Sequence, residues 1–293
     1  TRYQIFMKNL IYFFEFTIII ILFIIFRAIG YKAASNLGFF IGKTIGPKFR
    51  PKKTIIKNIK NYKSTIDDKE IDKMLDNMWG NYGRILAEYP FIPSFRKKKL
   101  EKYLDIEGIE NLKKIKDSEK PSVFVSGHFN NFELMAMLIE REGIDLAAVY
   151  RPLNNKFLNL IMEYLREKYI CKHQVKKGLK GVKESLAFFK KGKSLAIMID
   201  QRVSEGIDSK FFGVNAFTTT IPAQFVKKFG CIIQPVYIQR IDGVNFKILF
   251  DEQINFEKNQ SIETITENLN KWLEKKIEQS PDQWIWTHNR WKR

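Results

Sequence analysis

A chain of 293 residues, 45% hydrophobic and 14% aromatic, is long and apolar enough to bury one sizeable core. Its only cysteines, Cys171 and Cys231, lie far apart without metal-ligand spacing, which excludes a disulfide framework or a cysteine-based metal site and leaves two reduced, packed thiols. A formal net charge of +18, from 38 lysines and 12 arginines, points to anionic partners, although part of the lysine load is the background of an AT-rich genome.

Residues 10–26 are almost continuously apolar, interrupted by Glu15 and Thr17, and as a helix would span about 25 Å. Residues 1–30 are therefore expected to form a membrane anchor helix, because 26–30 offer a poor small-residue site for signal cleavage. Arg27, Lys32, Lys43, Lys48, Arg50, Lys52 and Lys53 follow it and favour the portion beyond staying on the cytoplasmic side of the membrane, against the weaker pull of Arg2 and Lys8. Residues 31–102 read as a helical, interfacial and basic region. Within it, 31–49 carries Ala33, Leu37, Phe40, Ile41 and Ile45 at helical spacing and is expected along the membrane interface. Further on, Ile71, Met74, Leu75, Met78 and Trp79 make one apolar stripe, which reads as core packing.

From 103 onward the pattern changes to alternation. Strands are expected at 103–106, 122–125, 146–150, 194–199, 232–238 and 246–250, with helices at 157–169, 179–190 and 262–277. That order predicts an α/β domain over 103–293, with a mostly parallel central sheet flanked by helices. In such sheets ligands bind beyond the carboxyl ends of the strands. His128, Arg151, Asp200 and Arg202 all fall at those ends.

His128 carries the chemistry best suited to catalysis, with Glu133 five residues on. Five residues of continuous helix would hold the two side chains about 140° apart, so they meet only if His128 lies in a turn before a helix opening near Asn130 or Asn131. An imidazole with one nitrogen held by a carboxylate can use the other as a general base on a hydroxyl. The plainer readings stand beside this: a strand-end histidine is often a polar plug, and Asn130 with Glu133 resembles a helix capping box. Thr218, Thr219 and Thr220 precede Pro222 at an expected helix start, as an anion site or as simple caps. No Gly-x-Ser-x-Gly elbow is present, and Gly178-Leu-Lys-Gly181 lacks the setting of a phosphate loop. Basic clusters such as 96–99 and Lys176-Lys177 are scattered without a recognition motif, so nucleic acid is not expected as a partner.

Seven segments carry a resemblance: Ser126-Gly-His-Phe-Asn-Asn-Phe-Glu133, Val149-Tyr-Arg-Pro-Leu-Asn-Asn155, Ile199-Asp-Gln-Arg-Val-Ser-Glu-Gly206, Phe211-Phe-Gly213, Thr218-Thr-Thr-Ile-Pro-Ala223, Pro281-Asp-Gln-Trp-Ile-Trp286 and Asn289-Arg-Trp-Lys292. Together they resemble the glycerolipid acyltransferase superfamily and, within it, the lipid A biosynthesis acyltransferases of lauroyl and myristoyl transferase type. The resemblance implies transfer of a fatty acyl group from an acyl carrier protein or acyl-CoA thioester to a hydroxyl of a Kdo-bearing lipid A precursor, in lipopolysaccharide biosynthesis. No cofactor or metal is implied, since the thioester is a co-substrate. His128 would take the hydroxyl proton, with Glu133 orienting and stabilising the imidazolium. Arg151 and Arg202 would hold anionic groups, Asp200 would orient Arg202 or a sugar hydroxyl or cap its strand, and amides near Ser126 and Gly127 would face the oxyanion. The alternatives are acylation of lysophosphatidic acid or another glycerolipid or aminolipid and, in a different class, a non-catalytic basic membrane adaptor.

Overall fold

The computed structural model describes residues 2–292. The N-terminal third is helical: α1 (Arg2–Ile29), α2 (Tyr31–Ile45), α3 (Lys52–Tyr62), α4 (Asp68–Glu88) and α5 (Ile92–Arg96). α1 breaks from α2 at Gly30, whose φ of 83° lies in the region open chiefly to glycine. α4 starts where the Asp67 side chain accepts a hydrogen bond from the Glu70 amide. α2 and α4 meet at backbone distance, because a Cβ on Gly38 would lie 2.4 Å from the Gly83 carbonyl oxygen and one on Gly42 would lie 2.2 Å from that of Trp79. One flank of the expected interfacial segment is thus spent on α4, while Leu37 and Phe40 remain exposed on the other. The stripe of Ile71, Met74, Leu75, Met78 and Trp79 is buried and joins the same apolar cluster as the sheet.

Strands and helices then alternate: β1 (Leu104–Glu107), α6 (Ile109–Ser118), β2 (Val123–Ser126), α7 (Glu133–Arg141), β3 (Leu146–Tyr150), α8 (Lys156–Tyr169), β4 (His173–Lys176), α9 (Leu179–Lys190) and β5 (Ser194–Met198). A hairpin of β6 (Ile207–Phe211) and β7 (Val214–Thr218) follows, then α10 (Ile221–Phe229), β8 (Ile233–Asp242), β9 (Asn245–Phe250) and α11 (Ile262–Gln279). The main sheet has the order β1-β9-β8-β2-β5-β3-β4, all neighbours parallel except the antiparallel pair β8 and β9. This is the expected mostly parallel sheet flanked by helices. β5 lies between β2 and β3, and the crevice beyond the ends of these three strands receives the functional residues.

Two local expectations are corrected. The helix after His128 opens at Glu133 with no side-chain cap, so Asn130 and Glu133 do not form a capping box. Asn130 instead takes a φ of 42° and turns its amide to Gln283. The short strand β4 and the β6–β7 hairpin were not anticipated, since neither carries a clean alternation of apolar residues.

The C-terminal stretch after α11 has little regular structure, yet Trp284 and Trp286 are fully buried with their rings edge to face at 4.7 Å. Burial of an indole removes roughly 200 Å² from water, worth about 5 kcal/mol as an upper estimate, which fixes this segment without a hydrogen-bonded ladder.

Candidate active site

The site is built by parallel register. Ser126 of β2 pairs with Met198 of β5, and two residues beyond each stand His128 and Asp200. Gly127 lets the chain pass: a Cβ there would lie 2.9 Å from Leu273 Cδ1 and from the Phe129 ring, and 3.3 Å from Asp200 Oδ2. His128 Nδ1 is 2.8 Å from Asp200 Oδ1, and its backbone amide donates to Asp200 Oδ2 at 2.7 Å. Trp284 Nε1 donates to the same Oδ2 at 2.9 Å. Asp200 is wholly buried. Burial alone would raise its pKa, but the histidine charge and the hydrogen bonds from His128 and Trp284 outweigh it and hold the carboxyl below its ordinary value. With Nδ1 committed to a carboxylate, the neutral form of His128 carries its proton on Nδ1 and presents the Nε2 lone pair.

Glu133 does not take that role. Its Oε1 accepts from Arg166 Nε at 2.8 Å and Arg166 Nη2 at 2.6 Å, and from the Tyr89 hydroxyl at 3.1 Å. The imidazole partner is Asp200, 72 residues away in sequence, because the strand register brings it there while α7 turns Glu133 towards α8. Arg166 is driven up from its ordinary pKa: burial opposes the charge, but Glu133 and then Tyr89 overcome it. Its Nη1 is buried and has no partner among the described residues, although Arg166 lines the cavity described below.

The loop between His128 and α7 is held from both sides. Asn131 Nδ2 donates to Glu88 Oε2 at 3.2 Å, and Glu88 is fully buried in an ion pair with Arg240 at 2.7 Å. Phe129 bridges to Trp284, and the Asn130 amide donates to the Gln283 carbonyl at 3.3 Å. A buried ion pair of this kind serves position more than net stability.

A cavity of about 1030 Å³ opens over this loop. One branch runs between the sheet and α7, where Phe124, Ala148 and Ala196 are cross-strand partners on one face and Met135, Ala136 and Ile139 face them. Ser126 points to the same side, its Oγ 3.4 Å from Met135 Sδ. Apart from Ser126 these residues are apolar, and two of the three sheet positions are alanines. The other end of the cavity is cationic, with Arg50, Arg151, Lys177, Arg202 and Lys292 on its wall together with Glu205.

Arg151 stands at the end of β3, exposed and without an ion-pair partner among the described residues. Lys177 is pushed below its ordinary pKa, first by burial and then by Arg151 beside it. Arg202 is not paired with Asp200. Its amide donates to His288 Nε2 at 2.9 Å, Nε to the Lys292 carbonyl at 2.6 Å and Nη1 to Ser204 Oγ at 3.1 Å. His288 also lines the cavity, and burial pushes it down to about 4, with Asp200 pulling the other way. Thr219 and Thr220 line the cavity at the start of α10, where the Thr220 hydroxyl accepts from Gln224 Nε2 at 2.8 Å and the Thr219 hydroxyl accepts from the Ile221 amide at 3.3 Å.

The structure thus brings His128, Glu133, Arg151, Asp200 and Arg202 around one cavity or its immediate wall, and adds Arg166, Lys177, Trp284 and His288. Trp284 lies in the Pro281–Trp286 motif, which marked it without indicating its contact, whereas His288 stands between the two C-terminal motifs and carried no signal of its own. Arg166 carried no sequence signal beyond lying on an expected helix. Among the described residues no cluster of histidine, cysteine and carboxylate side chains has metal-binding geometry.

Comparisons with known proteins bear on the family of the chain. The profile of the bacterial lipid A biosynthesis acyltransferase family matches residues 2–293. The chain is 24% identical over 267 residues to the lipid A biosynthesis palmitoleoyltransferase of Escherichia coli (strain K12), covering 86% of this chain and 84% of that protein. It is 23% identical over 270 residues to the lipid A biosynthesis lauroyltransferase of the same organism, covering 89% and 86% respectively. The crystal structure of the 1-acyl-sn-glycerophosphate (LPA) acyltransferase PlsC from Thermotoga maritima superposes with a TM-score of 0.43 at 14% identity, over 86% of this chain and 96% of that one. With its family profile matched from one end of the described chain to the other, this protein belongs to the bacterial lipid A biosynthesis acyltransferases and is an acyltransferase.

Proposed function

We propose that this protein is a membrane-bound acyltransferase that moves a fatty acyl chain from an acyl carrier protein thioester to a free hydroxyl of an anionic lipid A precursor. The observation that carries this reading is the His128 and Asp200 pair, with His128 on the wall of a cavity that carries both an apolar lining and a cationic cluster.

In this reading the acyl chain lies in the branch floored by Ala148 and Ala196, which offers it apolar contact. The acceptor hydroxyl approaches His128 Nε2. As its oxygen attacks the thioester carbonyl, Nε2 takes the proton, and Asp200 stabilises the imidazolium without itself becoming protonated. Collapse of the tetrahedral intermediate breaks the carbon–sulfur bond, and the departing thiolate takes the proton back from Nε2. No covalent acyl-enzyme is required. Glu133 acts through Arg166: it fixes the guanidinium so that the unpartnered Nη1 can donate to a substrate oxygen. Arg151, Lys177 and Arg202 bind anionic groups of the acceptor or carrier, since an ammonium crowded by a neighbouring guanidinium is relieved by a ligand anion.

α1 has the length and composition of a membrane anchor. In this reading it holds the domain on the cytoplasmic face of the inner membrane, where carrier and acceptor meet.

Purified protein in detergent, supplied with acyl carrier protein thioesters and either a lipid A precursor or lysophosphatidic acid, tests the proposal. Mass spectrometry should show a gain of one acyl group on the lipid A precursor. Acylation of lysophosphatidic acid alone would reassign the acceptor, and transfer to neither would sink the reading.

A further inference from the structure

α1 is not a free stalk. On one flank Tyr12, Phe16, Ile19 and Phe23 are partly covered and Phe26 is buried, at helical spacing, so this side lies against the domain. At the C-terminal end Arg27 stacks over the Phe91 ring at 5.1 Å and donates to Ser94. In the middle of the helix the rings of Phe13 and Phe16 lie 5.7 and 6.0 Å from that of Phe157 on α8. There Asn155 Nδ2 donates to the Tyr12 carbonyl at 2.8 Å and to Glu15 Oε2 at 3.0 Å. The opposite flank of α1 exposes Phe6, Leu10, Phe14, Ile21 and Ile25.

This docking restricts how α1 can meet a bilayer. Residues 2–11, before the Asn155 contact, make about 15 Å of helix, half of a hydrocarbon core of about 30 Å. From Tyr12 onward the helix is flanked by the domain, and its one carboxylate pairs with an amide that Lys156 adjoins. Polar groups such as these belong at headgroup level rather than at a bilayer centre. A helix that presents one apolar flank and rests the other on a folded body lies in or slants through one leaflet.

Asn155 also starts α8, its Oδ1 accepting from the Phe157 and Leu158 amides. One side chain therefore ties the first turn of α8 to the middle of α1. α8 has no fully buried residue. Leu160 and Tyr164, three and seven residues beyond Phe157 and so on its side of the helix, are 67% and 55% exposed, and Leu153 just before α8 is 39% exposed. Lys156 and Lys168 flank this ridge, and Arg151 on the cavity wall lies two residues before Leu153.

We propose that Leu153, Leu160 and Tyr164 form a second membrane-inserting element, locked by the Asn155 and Glu15 contact at the depth of the middle of α1. The domain then sits partly sunk in one anionic leaflet, with Lys156 and Lys168 among the headgroup phosphates and the cationic end of the cavity opening at their level. This inference rests on the reading of α1 as a membrane anchor.

The test places an environment-sensitive fluorophore on single cysteines in the full chain, bound to phosphatidylethanolamine–phosphatidylglycerol vesicles that carry a shallow spin-labelled phospholipid quencher. Phe14→Cys reports α1, Leu160→Cys reports the ridge, and Lys113→Cys on exposed α6 reports bulk water, with the unmodified chain giving the background from Cys171 and Cys231. Position 160 is expected to be quenched at least threefold more than position 113. Quenching at 14 with none at 160 would overturn the inference and leave the anchor standing, whereas no quenching at 14 would overturn the anchor reading and the inference with it. Asn155→Asp keeps the helix cap, loses the amide donors and faces Glu15 with a like charge. It should at least halve the quenching at 160 while leaving that at 14 unchanged; undiminished quenching at 160 would refute the lock.

Discussion

His128 and Asp200 occupy equivalent places at the ends of adjacent parallel strands, each two residues beyond a cross-strand pair, with Nδ1 and Oδ1 2.8 Å apart. The pairing of β2 with β5 fixes that distance, so the base and its carboxylate are held by the sheet itself. In the proposed reaction Asp200→Asn should lower kcat by about 10³ to 10⁴, because the amide presents the wrong partner to Nδ1 while its size is kept. His128→Ala should cost a similar 10² to 10⁴. Steady-state acyl transfer with folding checked by circular dichroism measures both, and a folded Asp200→Asn variant with near-wild-type turnover would remove Asp200 from the mechanism.

Glu133→Gln should act by a different route. It leaves a buried guanidinium against a neutral amide, which costs about 3 to 5 kcal/mol of stability when one partner of a buried pair is removed. Replacing Glu133 and Arg166 together by glutamine and methionine should recover part of that stability and none of the activity. Thermal unfolding of the two variants checks this, and a Glu133→Gln protein with unchanged Tm but reduced kcat would show that Glu133 acts on the reaction directly.

Trp284→Phe keeps most of the buried ring and deletes one donor to an ionised carboxylate, a loss of about 1.5 to 3 kcal/mol. Activity is expected to fall about tenfold or more, with the KM for either substrate changed little. A rise in KM without a fall in kcat would mean that the tryptophan shapes the binding wall instead.

Arg151→Ala and Lys177→Ala should raise the KM for the anionic substrate with kcat nearly unchanged, each by about ten- to 150-fold, the range expected for a charged hydrogen bond. Arg202→Ala should also lower Tm, since its guanidinium ties the Lys292 carbonyl and Ser204 to the site wall. Kinetics with donor and acceptor varied separately distinguish the two substrates, and an unchanged KM for both would make Arg151 a bystander.

His288 gives a pH signature. Its folded pKa of about 4 lies below the ordinary 6.5, so between these values the unfolded chain binds a proton that the folded one refuses. Stability contributed at this position is complete above pH 6.5 and declines as pH falls towards 4. Denaturant unfolding at pH 7.5 and 5 should show a loss for the natural protein that is smaller in His288→Gln; an equal loss in both would place the acid sensitivity elsewhere.

Much was legible in the sequence because it depends on neighbours along the chain. Apolar runs ending in Ser126-Gly-His128, Tyr150-Arg151 and Ile199-Asp200 announce strand ends, and alternation with helices announces a parallel sheet, whose crevice must gather whatever stands at those ends. The lone acid in an apolar helix was equally plain at Glu15. The tertiary structure alone decided which of these residues touch. It gave His128 to Asp200 rather than to nearby Glu133, sent Glu133 to Arg166 and Tyr89, brought Trp284 onto Asp200 from 84 residues away, and set Asn155 against Glu15 across 140. These contacts follow from strand register and helix docking, which are settled by burial of the whole core, and local periodicity records only which way each side chain faces.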